Sequence, residues 1–146
     1  MFLPIWDAHS CLPLSPNASV DVLSRHHKAG VRHISINIGM DINPISQIMS
    51  TLAAFREQIA IHQLLVQVET WEDITRAKEQ NLLAVSFDLE GALPLLESPS
   101  MIGLYHHLGV RQIHLAYNRN NSIAGGCHDQ MQGLTSLGKR MITRIQ

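Results

Sequence analysis

Short apolar runs alternate along the chain with segments whose apolar residues recur every three or four positions. The first pattern predicts β-strands, and the second predicts helices that bury one face. The predicted strands are residues 4–9, 31–38, 64–68, 82–89 and 110–117. The predicted helices begin near Ser19, Ile45, Trp71, Met101 and Leu134. Strands and helices therefore alternate throughout, as they do in proteins built on a parallel sheet.

Two architectures have parallel strands joined in this way. A doubly wound open sheet fits within 146 residues, whereas a (β/α)8 barrel needs about 250 residues, so the length favours the open sheet. The segment 82–90 favours the barrel because its side chains alternate between two unlike faces. One face is apolar and suits covering helices, and the other, with Ser86, Asp88 and Glu90, suits a polar interior.

Side chains that can bind a metal ion end two of the predicted strands. Asp7, His9 and Cys11 share one face at the end of the first strand, and Asp88 and Glu90 end the strand 82–89 or follow it. Parallel α/β enzymes place their chemistry at this end of the sheet, and imidazole, thiolate and carboxylate are zinc ligands. Without a metal, the same pattern fits a hydrogen-bonded His9, a buried apolar Cys11 and a loop carboxylate at Glu90.

Composition and charge exclude several classes of partner. The formal net charge is -1 and the basic residues are scattered, so no field attracts nucleic acid or a membrane surface. No run of about 18 apolar residues is present, and we expect a cytoplasmic protein. The two cysteines, Cys11 and Cys127, lie far apart without CxxC spacing, which favours reduced thiols.

Five short motifs follow one another at specific spacings: WDAH at 6–9, FDLEG at 87–91, LGVR at 108–111, YNRNN at 117–121 and GLTSLG at 133–138. In this order they resemble the renal, or membrane, dipeptidase family of binuclear zinc peptidases. The resemblance extends over essentially the whole chain. It implies a (β/α)8 barrel related to the amidohydrolases, of which residues 1–146 would be the N-terminal half, a single truncated domain.

The resemblance also implies roles for individual residues. His9 becomes a zinc ligand, and Glu90 becomes the catalytic carboxylate that bridges two zinc ions. Cys11 stands where the family has an aspartate ligand, so a thiolate would replace a carboxylate. Tyr117 stands where many relatives carry a histidine that polarises the substrate carbonyl, so we expect Tyr117 either to bind substrate or to face the core. His33, His114 and His128 receive no role, and the His26–His27 and His106–His107 pairs are expected on helix surfaces.

These roles predict a zinc-dependent dipeptidase that hydrolyses dipeptides with metal-activated water. In the family, two further histidine ligands and an aspartate that transfers a proton lie after the position that corresponds to Gln146. We therefore expect little activity from this chain alone. Unpaired strand edges and uncovered apolar faces favour association, misfolding or a missing C-terminal companion, so a homo-oligomer is one of the expected states. The alternative is a non-catalytic remnant of the same fold that binds a metal or a partner.

Overall fold

The computed structural model describes residues 5–145, which form a parallel sheet with helices on both of its faces. The described strands are β1 (Ile5–Ser10), β2 (Val31–Met40), β3 (Leu65–Gln67), β4 (Leu83–Glu90) and β5 (Val110–Ile113). The described α-helices are α1 (Leu23–Lys28), α2 (Ile45–Ile61), α3 (Trp71–Glu79), α4 (Ser100–His107) and α5 (Ser136–Ile145). The predicted alternation of strand and helix is confirmed, and Pro4 of the predicted first strand lies outside the described residues.

The strands run in the order β1, β2, β4, and two strands share the far edge of β4. β3 pairs with the start of β4, at Leu83 to Val85, and β5 pairs with its end, at Phe87 to Leu89. All of these pairings are parallel. The strands β1, β2, β4 and β5 therefore lie side by side with their carboxyl ends at one edge, and β3 is a short addition beside the start of β4.

The apolar face of the sheet, here called the outer face, forms the main core. It carries Ile34, Ile36 and Ile38 of β2 and Leu83, Val85, Phe87 and Leu89 of β4, all fully or almost fully buried. The four apolar side chains of α2 that recur at helical spacing pack against it: Ile48, Leu52, Phe55 and Ile59. Burial of each such side chain contributes about 1.5–3 kcal/mol, so this layer fixes which face of each strand packs against α2.

The opposite face, here called the inner face, carries Ser35 of β2 together with Ser86, Asp88 and Glu90 of β4. The helix α3 covers its amino-terminal part, where Ile74 and Ala77 form a small second core with Ala84. A capping box of Thr70 and Asp73 starts this helix. Its mixed charge predicts a solvated helix, but α3 buries one side against the sheet. The carboxyl-terminal part of the inner face stays open for polar side chains.

Two elements differ most in extent from the sequence prediction. The strand β5 ends at Ile113 instead of residue 117, because the Asn121 amide donates to the Leu115 carbonyl and draws the chain into a loop. The first predicted helix is divided into a 3-10 turn at Val20–Val22 and the short α1. Among residues 5–145, no helix combines the length and the apolar character needed to cross a membrane.

Candidate metal centre

The candidate site lies at the carboxyl ends of β1 and β4. The pairing of β1 with β2 changes register between Asp7 and Ser10, and the pairing of β2 with β4 changes register between Asn37 and Met40. Irregularities of this kind bend a strand and redirect its side chains, and they are common beside active sites. Here His9 reaches across β2 to the side chains of Asp88 and Glu90 on β4.

Three predicted ligands converge on one point. His9 Nε2 lies 2.9 Å from Glu90 Oε1 and 3.7 Å from Cys11 Sγ, and one ligand atom from each residue lies within 4.8 Å of the other two. The His9 side chain is 30% exposed and that of Glu90 is 12% exposed. The cluster is therefore partly shielded from solvent but still accessible to it.

The chemistry and spacing of these donors fit a zinc ion. Zinc binds imidazole and carboxylate at about 2.0–2.2 Å and thiolate at about 2.3 Å, which puts the donors of a tetrahedral site about 3.3–3.6 Å apart. The separations from His9 Nε2, 2.9 Å to the carboxylate and 3.7 Å to the thiol, lie close to that range. Three protein donors leave one position for water, as in catalytic zinc sites.

The thiol of Cys11 is held in its protonated form when no cation is present. Burial raises the pKa of Cys11, and the negative charges of Glu90 and Asp88 raise it further. The same charges attract a cation, and a metal that binds the sulfur removes its proton. At this site a Cys11 thiolate is therefore favoured when it binds a divalent cation and disfavoured when no cation is bound.

Asp88 lies behind His9 and is completely buried. Its Oδ1 lies 3.0 Å from His9 Nδ1, and its Oδ2 accepts a hydrogen bond of 2.8 Å from Ser35 Oγ. Burial raises the pKa of Asp88, while the hydrogen bonds from Ser35 and His9 oppose that rise. The sequence places Asp88 on the same strand face as Glu90, two residues away, but does not reveal that it contacts His9.

The remaining predicted residues lie outside this cluster. Within residues 5–145, Asp7 receives only a long contact from the His9 backbone N–H, at 3.4 Å. Tyr117 lies beyond the end of β5, and 37% of its surface is exposed. His114, which the sequence left unassigned, follows β5, and its ring centre lies 5.4 Å from that of His9. His106 and His107 are exposed on α4, as expected.

A model of one protein family matches most of the chain. The family is described as membrane dipeptidase (peptidase family M19), and the match covers residues 41–146. Glu90 lies within the matched residues, and His9 and Cys11 precede them. No curated protein matches the chain.

Solved structures of metallopeptidases and an amidohydrolase share the fold. An amidohydrolase from Pseudomonas aeruginosa superposes with a TM-score of 0.85 at 17% identity, covering 97% of this chain and 42% of its own. A metallopeptidase from Rhodobacter sphaeroides, liganded with a phosphinate mimic of the dipeptide L-Ala-D-Ala, superposes with a TM-score of 0.75 at 15% identity, covering 97% and 55%.

The dipeptidase AC, a metallopeptidase of family M19, gives a TM-score of 0.75 at 16% identity, covering 97% of this chain and 53% of its own. The chain thus spans about half the length of these structures. At such low identities the similarity shows the fold alone, and it confirms the predicted partial barrel. Because the family model matches most of its length, the chain belongs to the membrane dipeptidase family, peptidase family M19.

Proposed function

We propose that this chain carries the metal-binding part of a zinc-dependent dipeptidase site. The observation that carries the proposal is the convergence of His9 Nε2, Cys11 Sγ and a Glu90 carboxylate oxygen within 4.8 Å of one another. The family of the chain and the solved metallopeptidase with a bound dipeptide mimic support a dipeptide as the substrate.

The roles of the side chains follow from their chemistry. Zinc, when bound, supplies a Lewis acid that polarises the substrate carbonyl and lowers the pKa of water to near neutrality. His9 and Cys11 would hold the cation from β1 and the loop after it. Glu90 would hold the cation through its carboxylate, and the family resemblance implies that this carboxylate bridges two cations.

Tyr117 is a proposed substrate-binding residue. Its exposure beyond β5 leaves the phenol free of the core, which favours substrate binding over the alternative of a core-facing side chain. A phenol can donate a hydrogen bond to a carbonyl oxygen, as the histidine at this position of the family would. Because the chain spans about half the length of the similar structures, we expect little hydrolysis by this chain alone.

A second candidate function is metal binding without catalysis. Cys11 favours this alternative, because thiolate is a softer and more strongly electron-donating ligand than the expected aspartate. A thiolate reduces the effective positive charge of zinc, so the ion lowers the pKa of a bound water less. The two candidates agree on the ligands and differ in whether the bound cation activates water.

Zinc content measured by elemental analysis tests the ligands. After loading and desalting, we expect about one bound zinc ion in the wild-type chain and loss of zinc in His9→Ala and Glu90→Gln, because each variant removes a donor. Cys127→Ala is the matched control, because Cys127 is exposed and lies outside the cluster. Equal zinc content in all folded variants would reject the site.

Hydrolysis of L-Ala-D-Ala by the same samples separates the two candidates. Weak hydrolysis that disappears in Glu90→Gln supports the dipeptidase. Zinc binding by the wild type without any hydrolysis above the Glu90→Gln background supports the non-catalytic alternative.

A further inference from the structure

We propose that Asp88, held in place by Ser35, is a positioning residue that fixes the tautomer and the ring orientation of His9, so that Nε2 is free to bind a cation. The inference rests on the proposed metal site, and it concerns residues to which that proposal gives no role. Asp88 is not one of the three residues whose ligand atoms converge, and it would act only through His9.

The two ring nitrogens of His9 face two different carboxylates. Nδ1 lies 3.0 Å from Asp88 Oδ1, and Nε2 lies 2.9 Å from Glu90 Oε1. A neutral imidazole carries one hydrogen, and an ionised carboxylate can only accept it. If the hydrogen is on Nδ1, the Nε2 lone pair points toward Cys11 and Glu90 and can bind metal. If it is on Nε2, an N–H bond occupies the position where the cation should bind.

Asp88 decides between these two tautomers because it cannot move. It is completely buried on β4, and its second oxygen accepts a hydrogen bond of 2.8 Å from Ser35 on the neighbouring β2. Ser35 is itself buried, so both ends of this contact are fixed by the sheet. Glu90, by contrast, is partly exposed and can exchange His9 for water or a cation. The buried acceptor therefore holds the hydrogen on Nδ1.

The same strand face offers a matched control. Ser86 precedes Asp88 by two residues on β4, pairs in register with Ser35, and is equally buried. Its hydroxyl contacts His33 Nε2 at 3.1 Å instead of Asp88. Removal of the Ser86 hydroxyl perturbs the inner face as much as removal of the Ser35 hydroxyl but leaves the contact between Asp88 and His9 intact.

Zinc titration calorimetry of the wild type, Asp88→Ala, Asp88→Asn, Ser35→Ala and Ser86→Ala tests the proposal. Loss of a partner that orients a metal-binding histidine typically weakens binding by about 10–100-fold, and we expect a loss of this size in Asp88→Ala. Asp88→Asn should retain part of the affinity, because its amide oxygen can still accept from Nδ1. Ser35→Ala should weaken binding less than Asp88→Ala, and Ser86→Ala should leave it unchanged.

NMR of the metal-free chain gives a second readout that needs no zinc. Correlation of the ring protons with the ring nitrogens, at a pH where the imidazole is neutral, should show hydrogen on Nδ1 of His9 in the wild type and a shift toward Nε2 in Asp88→Ala. A wild-type hydrogen on Nε2, or a tautomer unchanged in Asp88→Ala, would overturn the inference.

The two measurements also separate this inference from the proposed function. Zinc binding that Glu90→Gln abolishes and Asp88→Ala leaves unchanged would refute the inference and support the metal site. A wild type that binds no zinc but changes its His9 tautomer in Asp88→Ala would refute the metal site and support the positioning role of Asp88.

Discussion

At the scale of single residues, the inner face of the sheet contains two polar pairs with different surroundings. Ser35 of β2 donates a hydrogen bond to Asp88 of β4, and Asp88 contacts His9 near the carboxyl ends of the strands. His33 and Ser86 lie closer to the amino ends, next to a cavity of about 260 Å³ that Glu69 and Arg111 also line. His33 is buried beside Trp6, and burial lowers its pKa from 6.5 to about 4.

We predict that His33 makes the folded state sensitive to mild acid. Its pKa is about 4 in the folded chain and 6.5 in the unfolded chain, so the unfolded state binds more protons between these values. The free energy of unfolding should therefore fall as the pH is lowered through this range, by about 1.4 kcal/mol per pH unit and about 3 kcal/mol in total. Urea unfolding measured from pH 7 to pH 4 checks this.

His33→Gln should flatten this dependence, because glutamine does not titrate. His128→Gln serves as the control, because the His128 side chain is exposed in a loop, and it should keep the wild-type slope. A slope in His33→Gln equal to that of the wild type would assign the acid sensitivity to other groups.

His9, Cys11 and Glu90 could be placed at two strand ends because strand alternation is a property of local sequence. Their roles as metal ligands come from the family resemblance and stay predictions. Sequence reasoning gave Asp88 no partner and left His114 unassigned, because contacts between β1, β4 and the end of β5 depend on how the strands bend and on their order in the sheet. The role of Tyr117 depends on the loop after β5, and the alternation of side chains along a strand does not describe that loop. The role of Tyr117 therefore stays a prediction.

At the scale of elements, the turn after β4 ties the site to two other segments. Asp41, which follows β2, accepts hydrogen bonds of 2.9 Å from the Leu93 backbone and from the Asn121 side chain. Its own backbone N–H donates to the Glu90 carbonyl. Gly91 has a φ of +113°, and a β-carbon built there would overlap the Asp41 carboxylate. The turn that presents Glu90 therefore requires glycine.

We predict that Gly91→Ala destabilises the chain by about 1–3 kcal/mol, because alanine is strained at this φ and its methyl group displaces Asp41. Zinc affinity should fall with it, because Glu90 is the neighbouring residue. Gly103→Ala is the control: Gly103 lies in α4 with open space around its α-carbon, and alanine there should stabilise the helix by about 0.5–1 kcal/mol. Thermal unfolding of both variants checks the opposite signs.

Gly91→Ala with wild-type stability and zinc affinity would show that the turn does not hold Glu90 in place.

The sequence predicted every element that has clear periodicity, including α2 and β4. It did not predict that α3 packs on the inner face, because Ile74 and Ala77 are too few among charged residues to mark a buried side. That packing depends on the small Ala84 opposite them.

At the scale of the whole molecule, β1 pairs only with β2 within residues 5–145, so its other edge is open. Ile5, Trp6 and Trp71 are at least half exposed near this edge, and the two indole rings stack with centres 6.2 Å apart. Open strand edges and exposed aromatic residues promote association.

The parallel half-barrel follows from strand and helix alternation and the family resemblance, whereas the treatment of residues 1–146 as a single domain stays a prediction.

We predict that the purified chain forms a homo-oligomer whose mass by light scattering rises with concentration. Trp6→Lys should shift the population toward the monomer, because a charged side chain at the strand edge opposes pairing. Leu134→Lys, an exposed apolar position on the loop before α5, is the control and should leave the mass unchanged. A monomer at every concentration would contradict the prediction.

X-ray absorption of the zinc-loaded chain shows whether His9, Cys11 and Glu90 bind one cation together. We expect one sulfur ligand at about 2.3 Å and the remaining nitrogen or oxygen ligands at about 2.0–2.2 Å, with the sulfur lost in Cys11→Asp and zinc still bound. A spectrum with nitrogen and oxygen ligands alone in the wild type, identical to that of Cys11→Asp, would contradict this expectation.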